Sequence, residues 1–261
     1  MSAPERISAD DSGMPLRLMT YNIHKGIGGL DRKYRLERIV EVIDHYRPDV
    51  ACLQEVDEGV PRSHRDHQVE KLAEQLGYQH TAFQRNVKLR RGAYGNAILS
   101  RFPIQECIDI DLTVRPKKRR QAQLARLIAE TPHGSANLTV VNLHLGLAGF
   151  ERTIQLRRLF ASGELSKPPS DHVLDQAIIV AGDFNDVWEN LGKRLLQPQG
   201  FQRAGAGIRT FPAIAPLRAL DGIHFRGRPL SYGHSFAGRT NIAKQASDHR
   251  PLVADFELKL Q

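Results

Sequence analysis

Cysteine is almost missing from this chain: Cys52 and Cys107 are the only two in 261 residues. Two isolated cysteines give neither a disulfide framework nor a metal–thiolate spacing, and they fit a reducing compartment. Long apolar runs are missing as well. No stretch approaches the roughly 18 apolar residues of a membrane-spanning helix. Residues 1–15 mix Pro, Glu, Arg, Asp and Ser and lack the apolar core of a secretory signal. The expectation is a disordered leader at 1–14, a single domain at 15–261, and a cytoplasmic monomer without a transmembrane segment. Tryptophan is reduced to Trp188, so no aromatic-rich platform for stacking bases is evident. No amphipathic helix supports membrane contact. No low-complexity linker divides the chain, and no repeat has the period of a solenoid or propeller.

What is present is basic. Lys and Arg number 37 against 29 Asp and Glu, a net charge of +8. Such a surface attracts nucleic acid, acidic lipid headgroups or phosphorylated small molecules, although solubility alone would also explain it. The hydrophobic fraction of 41% and charged fraction of 25% are those of a soluble globular protein with a sizeable core.

The pattern opens as strand, helix, strand. Residues 16–23 alternate, a loop with Gly26, Gly28 and Gly29 follows, and Leu36, Ile39, Val40 and Ile43 recur at helical spacing. Residues 50–53 begin the next strand. A second helix is expected over 68–76, stopped by Gly77. Strand-like stretches at 95–100, 104–112, 121–130 and 138–144 are joined by short turns, which implies antiparallel pairing. The order then repeats: a helix near 150–160, a Pro/Ser loop at 166–170, a strand at 177–183, a short helix at 188–196, and closing strands that include 252–258. Two sheets face to face with helices on both outer surfaces, an α/β sandwich in one domain, accommodate this order.

Polar residues gather at strand ends, where ligands bind in folds built from sheets. Glu55 follows the apolar run 50–53. Buried there, it needs a compensating charge such as a hard cation; in a loop it would simply be solvated. Asp183 and Asn185 end the strand 177–183. Asp183 can accept a proton from water and Asn185 can donate to a phosphoryl oxygen, though Gly-Asp and Asn-Asp are also ordinary turn residues. In Ser247-Asp248-His249, neighbouring side chains reach one site only if the chain bends. A carboxylate supplied from elsewhere would orient His249, and Asp221 is the candidate, with surface solvation as the bland alternative. His144 taken singly reads as a core histidine. His24, His45, His64, His67, His80, His133, His172, His224 and His234 are taken as incidental.

In order along the chain, Thr20-Tyr21-Asn22-Ile23, Pro48-Asp49-Val50-Ala51-Cys52-Leu53-Gln54-Glu55-Val56, Tyr94-Gly95-Asn96-Ala97-Ile98-Leu99-Ser100, Asn142-Leu143-His144, Gly182-Asp183-Phe184-Asn185, Leu220-Asp221 and Ser247-Asp248-His249-Arg250-Pro251-Leu252 resemble the endonuclease/exonuclease/phosphatase family. The resemblance implies a four-layer α/β/β/α sandwich of the DNase I-like kind, with two mostly antiparallel sheets. It also implies metal-dependent hydrolysis of a phosphate ester, usually a phosphodiester, with Mg²⁺ or Mn²⁺. Glu55 would be the principal metal ligand, with Asn22 and Asp248 near the metal. Asp183 would position the attacking water, Asn185 would bind phosphate, and His249, oriented by Asp221, would polarise the phosphoryl group or handle a proton. His144 matches the branch with histidine at that strand end. Asn96 is expected among the substrate-binding residues.

Two departures, His24 after Ile23 and Gly222 after Asp221, weigh against a standard abasic-site repair enzyme. The leading expectation is a phosphodiesterase acting on nucleic acid. A hydrolase of phospholipid, phosphoinositide or small phosphate esters is its rival. A non-enzymatic basic binding module is disfavoured because every catalytic position is filled. Lys117, Lys118, Arg119 and Arg120 could grip a phosphate backbone or form a solvated turn.

Overall fold

Apolar spacing sets the element boundaries in the computed structural model, which describes residue 6 and residues 13–131, 133–165 and 176–260. In chain order the main elements are β1 (Gly13–Asn22), α1 (Leu36–Tyr46), β2 (Val50–Glu58), α2 (Gln68–Leu76), β3 (His80–Lys88), β4 (Ala93–Ser100), β5 (Ile104–Asp111), β6 (Gln121–Thr131), β7 (Gly134–His144), α3 (Gly149–Ala161), β8 (Ala177–Asp183), β9 (Gln202–Arg203), β10 (Asp221–Arg226), β11 (Leu230–Ala237), α4 (Ala243–Ala246) and β12 (Leu252–Lys259). Of the expected leader, only Arg6, Gly13 and Met14 are described, and the last two already lie in β1. The expected loop at 166–170 and His172 fall outside the described residues.

One six-stranded sheet has the order β11-β12-β1-β2-β4-β3, the other β5-β6-β7-β8-β10-β9. Each holds one parallel pair, β1 with β2 and β7 with β8, and the other pairings are antiparallel. A parallel pair needs a crossover, which α1 and α3 supply. Alternation along the strands then builds four layers. Leu16, Leu18, Cys52 and Ile98 meet Ala125, Leu127, Val140 and Ile179 between the sheets. Met19, Tyr21, Ala51 and Leu53 pack instead on Ile39, Val42, Ile43 and Leu72 of α1 and α2. Val141, Leu143, Ile178 and Val180 pack on Leu156 and Leu159 of α3. Each fully buried Leu or Ile contributes about 1.5–3 kcal/mol of transfer free energy.

Three local expectations change. β4 and β5 do not pair: the turn Arg101-Phe102-Pro103 carries the chain from one sheet to the other. β3 was not evident in the sequence because it is an edge strand whose residues are mostly half-exposed and blur the period-2 signal. The helix expected over 188–196 is a π-helix at Gly192–Leu196 that runs straight into a 3-10 turn at Gln197–Gln199. Gly192 there presses on His224, where a Cβ would come within 2.9 Å of the imidazole.

One ion pair is sealed under the helices of the first sheet. Arg17 Nε and Nη2 each donate at 2.7 Å to the two oxygens of Asp255, and both side chains are buried. Removing one partner leaves a buried charge uncompensated. Asp255→Ala is therefore expected to cost about 3–5 kcal/mol in urea unfolding; a loss below about 1 kcal/mol would mean the pair behaves as if exposed.

Candidate active site

At one end of the sandwich the inward-facing positions turn from apolar to polar. Thr20 and Asn22 follow Leu18, Gln54 follows Cys52, Asn142 and His144 follow Val140, and Asp183 follows Ala181, all buried. Gln54 Nε2 donates to Thr20 Oγ1 at 3.0 Å and to Asn142 Oδ1 at 2.8 Å. Asn142 Nδ2 donates to the carbonyls of Leu53 and Ala97, each at 2.9 Å, so one side chain of the second sheet fastens two strands of the first.

Strand register places three ionisable groups in a row. His144 of β7 pairs with Asp183 of β8, which pairs with Asp221 of β10. His144 Nε2 lies 3.5 Å from Asp183 Oδ2. From the loop before β12, His249 reaches the same row, with Nδ1 2.9 Å from Asp221 Oδ2 and Nε2 3.8 Å from Asp183 Oδ2. An ionised carboxylate only accepts, so the proton of that first contact sits on His249 Nδ1. Thr210 Oγ1 donates to the same oxygen of Asp221, and the Phe211 ring lies 4.9 Å from the His249 ring, centroid to centroid. Burial works against the charged imidazole, but Asp221 and Asp183 overcome it and push His249 up to about 10. Burial raises Asp183 as well, to about 6, against the pull of His249.

Asn22 closes the row from the first sheet, donating Nδ2 to Asp183 Oδ2 at 3.2 Å. Asn185, in a left-handed conformation (φ 50°), donates its backbone N–H to Asp183 Oδ1 at 2.9 Å and Nδ2 to the carbonyl of Leu145. An amide nitrogen carries two hydrogens, so one donor of Asn185 remains.

Glu55 arrives by a distortion. Leu53 and Val56 both face the helices, and the ladder to β4 slips between them. Glu55 adopts φ 55° at this bulge, which turns its side chain away from the helix layer. The turn after β1 answers it: His24 (φ 46°) and Lys25 (φ 63°) are both left-handed, and Gln68 Nε2 clamps the Lys25 carbonyl at 2.8 Å. Lys25 Nζ thereby donates to Glu55 Oε2. Burial would raise the Glu55 carboxyl, yet nearby positive charge, with the Lys25 ammonium in direct contact, holds it down at about 2. Burial keeps His144 itself well below its ordinary value and therefore neutral, which leaves Lys25 as the resident cation on Glu55. Asp248, partly exposed, stands 3.9 Å from His24 Nδ1. Gly29 lies against it so closely that a Cβ would fall 2.9 Å from Asp248 Cα.

The remaining expected residues divide. Arg120 is half-buried and its charge reaches His144, whereas Lys117, Lys118 and Arg119 are exposed on the β5–β6 loop. Asn96 lies inside the sandwich. It is 1% exposed and donates to Gln84 Oε1 at 3.1 Å and the Gln121 carbonyl at 3.4 Å, which ties neighbouring strands together. Lys25 and Thr210 join the site without having been anticipated, and His24, taken as incidental, stands beside Asp248. Lys25 had a signal, its place in the Gly-rich turn three residues after Asn22. Thr210 had none, being 11 residues from Asp221 in a loop of no evident pattern.

The chain as a whole has relatives. Residues 19–249 match the sequence profile of the Endonuclease/Exonuclease/phosphatase family. The chain belongs to the Endonuclease/Exonuclease/phosphatase family. Its members are phosphoester hydrolases. Uncharacterized protein YbhP of Escherichia coli is 32% identical over 256 residues, covering 93% of this chain and 96% of its own. An endonuclease/exonuclease/phosphatase from Beutenbergia cavernae superposes with a TM-score of 0.75 at 22% identity, over 94% of this chain and 72% of that one. ANGEL2, a 2′,3′-cyclic phosphatase, superposes with a TM-score of 0.69 at 18% identity, over 99% and 100% of the two chains. The family generally uses a divalent metal, and the donor set here suits one. Glu55, held ionised, already carries a cationic ammonium group. Asp183, Asp221 and His249 bring ligand atoms within 4.8 Å of one another. Among the described residues no helix is long and apolar enough to cross a membrane.

Proposed function

We propose that this protein is a divalent-metal-dependent phosphodiesterase acting on nucleic acid. The observation that carries this reading is the row of His144, Asp183 and Asp221 on three adjacent strands, closed by His249 hydrogen-bonded to Asp221. Asp183, fixed by Asn22 and Asn185, accepts a proton from the attacking water. As the bond from phosphorus to the leaving oxygen breaks, charge builds on that oxygen and on the non-bridging oxygens. The charged His249, with Asp221 behind it, stabilises that charge or protonates the leaving group, and the spare amide hydrogen of Asn185 meets a phosphoryl oxygen. His144 stands on the other side of Asp183 as a neutral donor. Glu55, with Asn22 and Asp248, would hold Mg²⁺ or Mn²⁺, which when bound neutralises developing phosphoryl charge. Asp221 is read as the orienter of His249 because Thr210 and His249 both hold its Oδ2.

That ANGEL2 is a 2′,3′-cyclic phosphatase supports a phosphodiester as substrate, and the net charge of +8 supports a polyanion. Both cysteines are free thiols, which supports a reducing, cytoplasmic setting. Asp183→Asn with a chromogenic phosphodiester tests the reading: turnover is expected to fall by about a hundredfold or more. Turnover within a few-fold of wild type would remove Asp183 from the reaction. The exposed loop has its own test. Replacing Lys117, Lys118 and Arg119 by Ala is expected to flatten the salt dependence of oligonucleotide binding by up to about 3 × 0.7 log units per log unit of salt for single strands. An unchanged slope would make the loop a solvated turn.

A further inference from the structure

Helix α3, which follows β7, and the segment 186–195, which follows β8, line an open-sided pocket of about 470 Å³ close along the chain to Asp183. Arg152, Arg157 and Arg194 line it together with Phe150 and Trp188. Large apolar side chains are rarely left out in water without a use when they cluster with cations. Here Phe150 is 60% exposed and Trp188 79%. The one acid in the lining, Asp186, is buried and accepts from the Leu191 N–H at 2.6 Å, and among the described residues no ion pair joins it to the three guanidinium groups. Among the described residues neither Arg157 nor Arg194 has a carboxylate partner.

We infer that this pocket binds a nucleotide of single-stranded nucleic acid flanking the scissile phosphodiester, its base stacked on Trp188 or Phe150 and its phosphate held by Arg157 and Arg194. The inference rests on the phosphodiesterase reading for the neighbouring site. Asp186 lies three Cα steps from Asp183, at most about 11 Å along the chain, so a group in the pocket and a phosphodiester at Asp183 can belong to one short strand. Guanidinium groups and a flat aromatic face are the pair of features that grip a strand without reading its sequence. A duplex hides its base faces and cannot offer one to Trp188. A membrane surface is the other partner that aromatic and basic residues attract, but anchors for it project from a convex surface, whereas these groups converge into a pocket.

Trp188 is the only tryptophan, so its emission reports this pocket alone. Full-length protein is titrated, in excess chelator so that nothing is cleaved, with oligothymidylate, with a duplex of equal length, and with phosphatidylglycerol vesicles. Saturable quenching by oligothymidylate, with weaker quenching by the duplex, is expected. Trp188→Ala should weaken binding of a labelled oligothymidylate by about five- to a hundredfold. The double variant Arg157→Ala/Arg194→Ala should flatten its salt slope by about 2 × 0.7 units. Arg239→Ala/Lys244→Ala removes two charges from a different groove and should leave that slope in place. No quenching by oligothymidylate, equal slope losses in both double variants, or a response to vesicles alone would each overturn the inference. Chromogenic phosphodiester turnover is measured in parallel. Turnover without quenching rejects the pocket and spares the catalytic reading; quenching without turnover does the reverse.

Discussion

Glu55→Gln is expected to lower metal-dependent phosphodiester turnover by about a thousandfold, since a catalytic cation stabilises the transition state by several kcal/mol. The substitution keeps the shape of the side chain and removes the charge. It also strands Lys25, whose ammonium sits on Glu55 Oε2. An unpaired ammonium at that position repels the very cation that glutamine can no longer attract. The loss should therefore appear first in metal binding, read by calorimetric titration with Mn²⁺, and turnover should recover in part at high metal. Glu55→Asp keeps the charge at shorter reach and should fall between the two. Unaltered metal affinity in Glu55→Gln would mean that the cation sits elsewhere, with the Asp183, Asp221 and His249 cluster as the alternative.

Asp221→Asn should be nearly as damaging, by about 10³- to 10⁴-fold, the scale seen when the carboxylate behind a catalytic histidine becomes an amide. Asp221 does two things for His249. It fixes the proton on Nδ1 through the 2.9 Å contact, and its charge helps hold the buried ring protonated against desolvation. Asparagine provides neither charge nor a reliable acceptor, because its amide can turn its NH₂ toward the ring. Metal affinity should stay near the wild-type value. If the two residues act as a unit, Asp221→Asn combined with His249→Ala should cost little more than His249→Ala alone. Fully additive losses would separate Asp221 from His249.

The positions that the sequence made legible are those set by strand periodicity. Asn22, His144 and Asp183 sit at the ends of strands whose apolar residues alternate, and the inward face continues through them. The helices α1 and α2 were legible from helical spacing and a stop signal, with Arg47 (φ 47°) and Gly77 (φ 71°) turning left-handed where each ends. Glu55 was legible as a residue but not in its geometry. A regular β2 would have pointed it at the helices, and only the bulge with φ 55° redirects it. The burial of Asn96 against Gln84 was not legible, because it depends on the pairing of β4 with the edge strand β3. The pocket at Trp188 could not be read from a single segment. Phe150 and Trp188 are 38 positions apart, and it is the parallel pairing of β7 with β8 that sets the segments after them side by side.

The most direct measurement is hydrolysis of bis(p-nitrophenyl) phosphate by the purified wild-type protein with Mg²⁺ or Mn²⁺, then with excess chelator, then with metal restored. Turnover that depends on the metal, stops on chelation and returns on readdition is the predicted result. Turnover that persists undiminished in excess chelator, or none with either metal on this diester, on oligonucleotides and on RNA, would contradict the assignment of a metal-dependent phosphodiesterase.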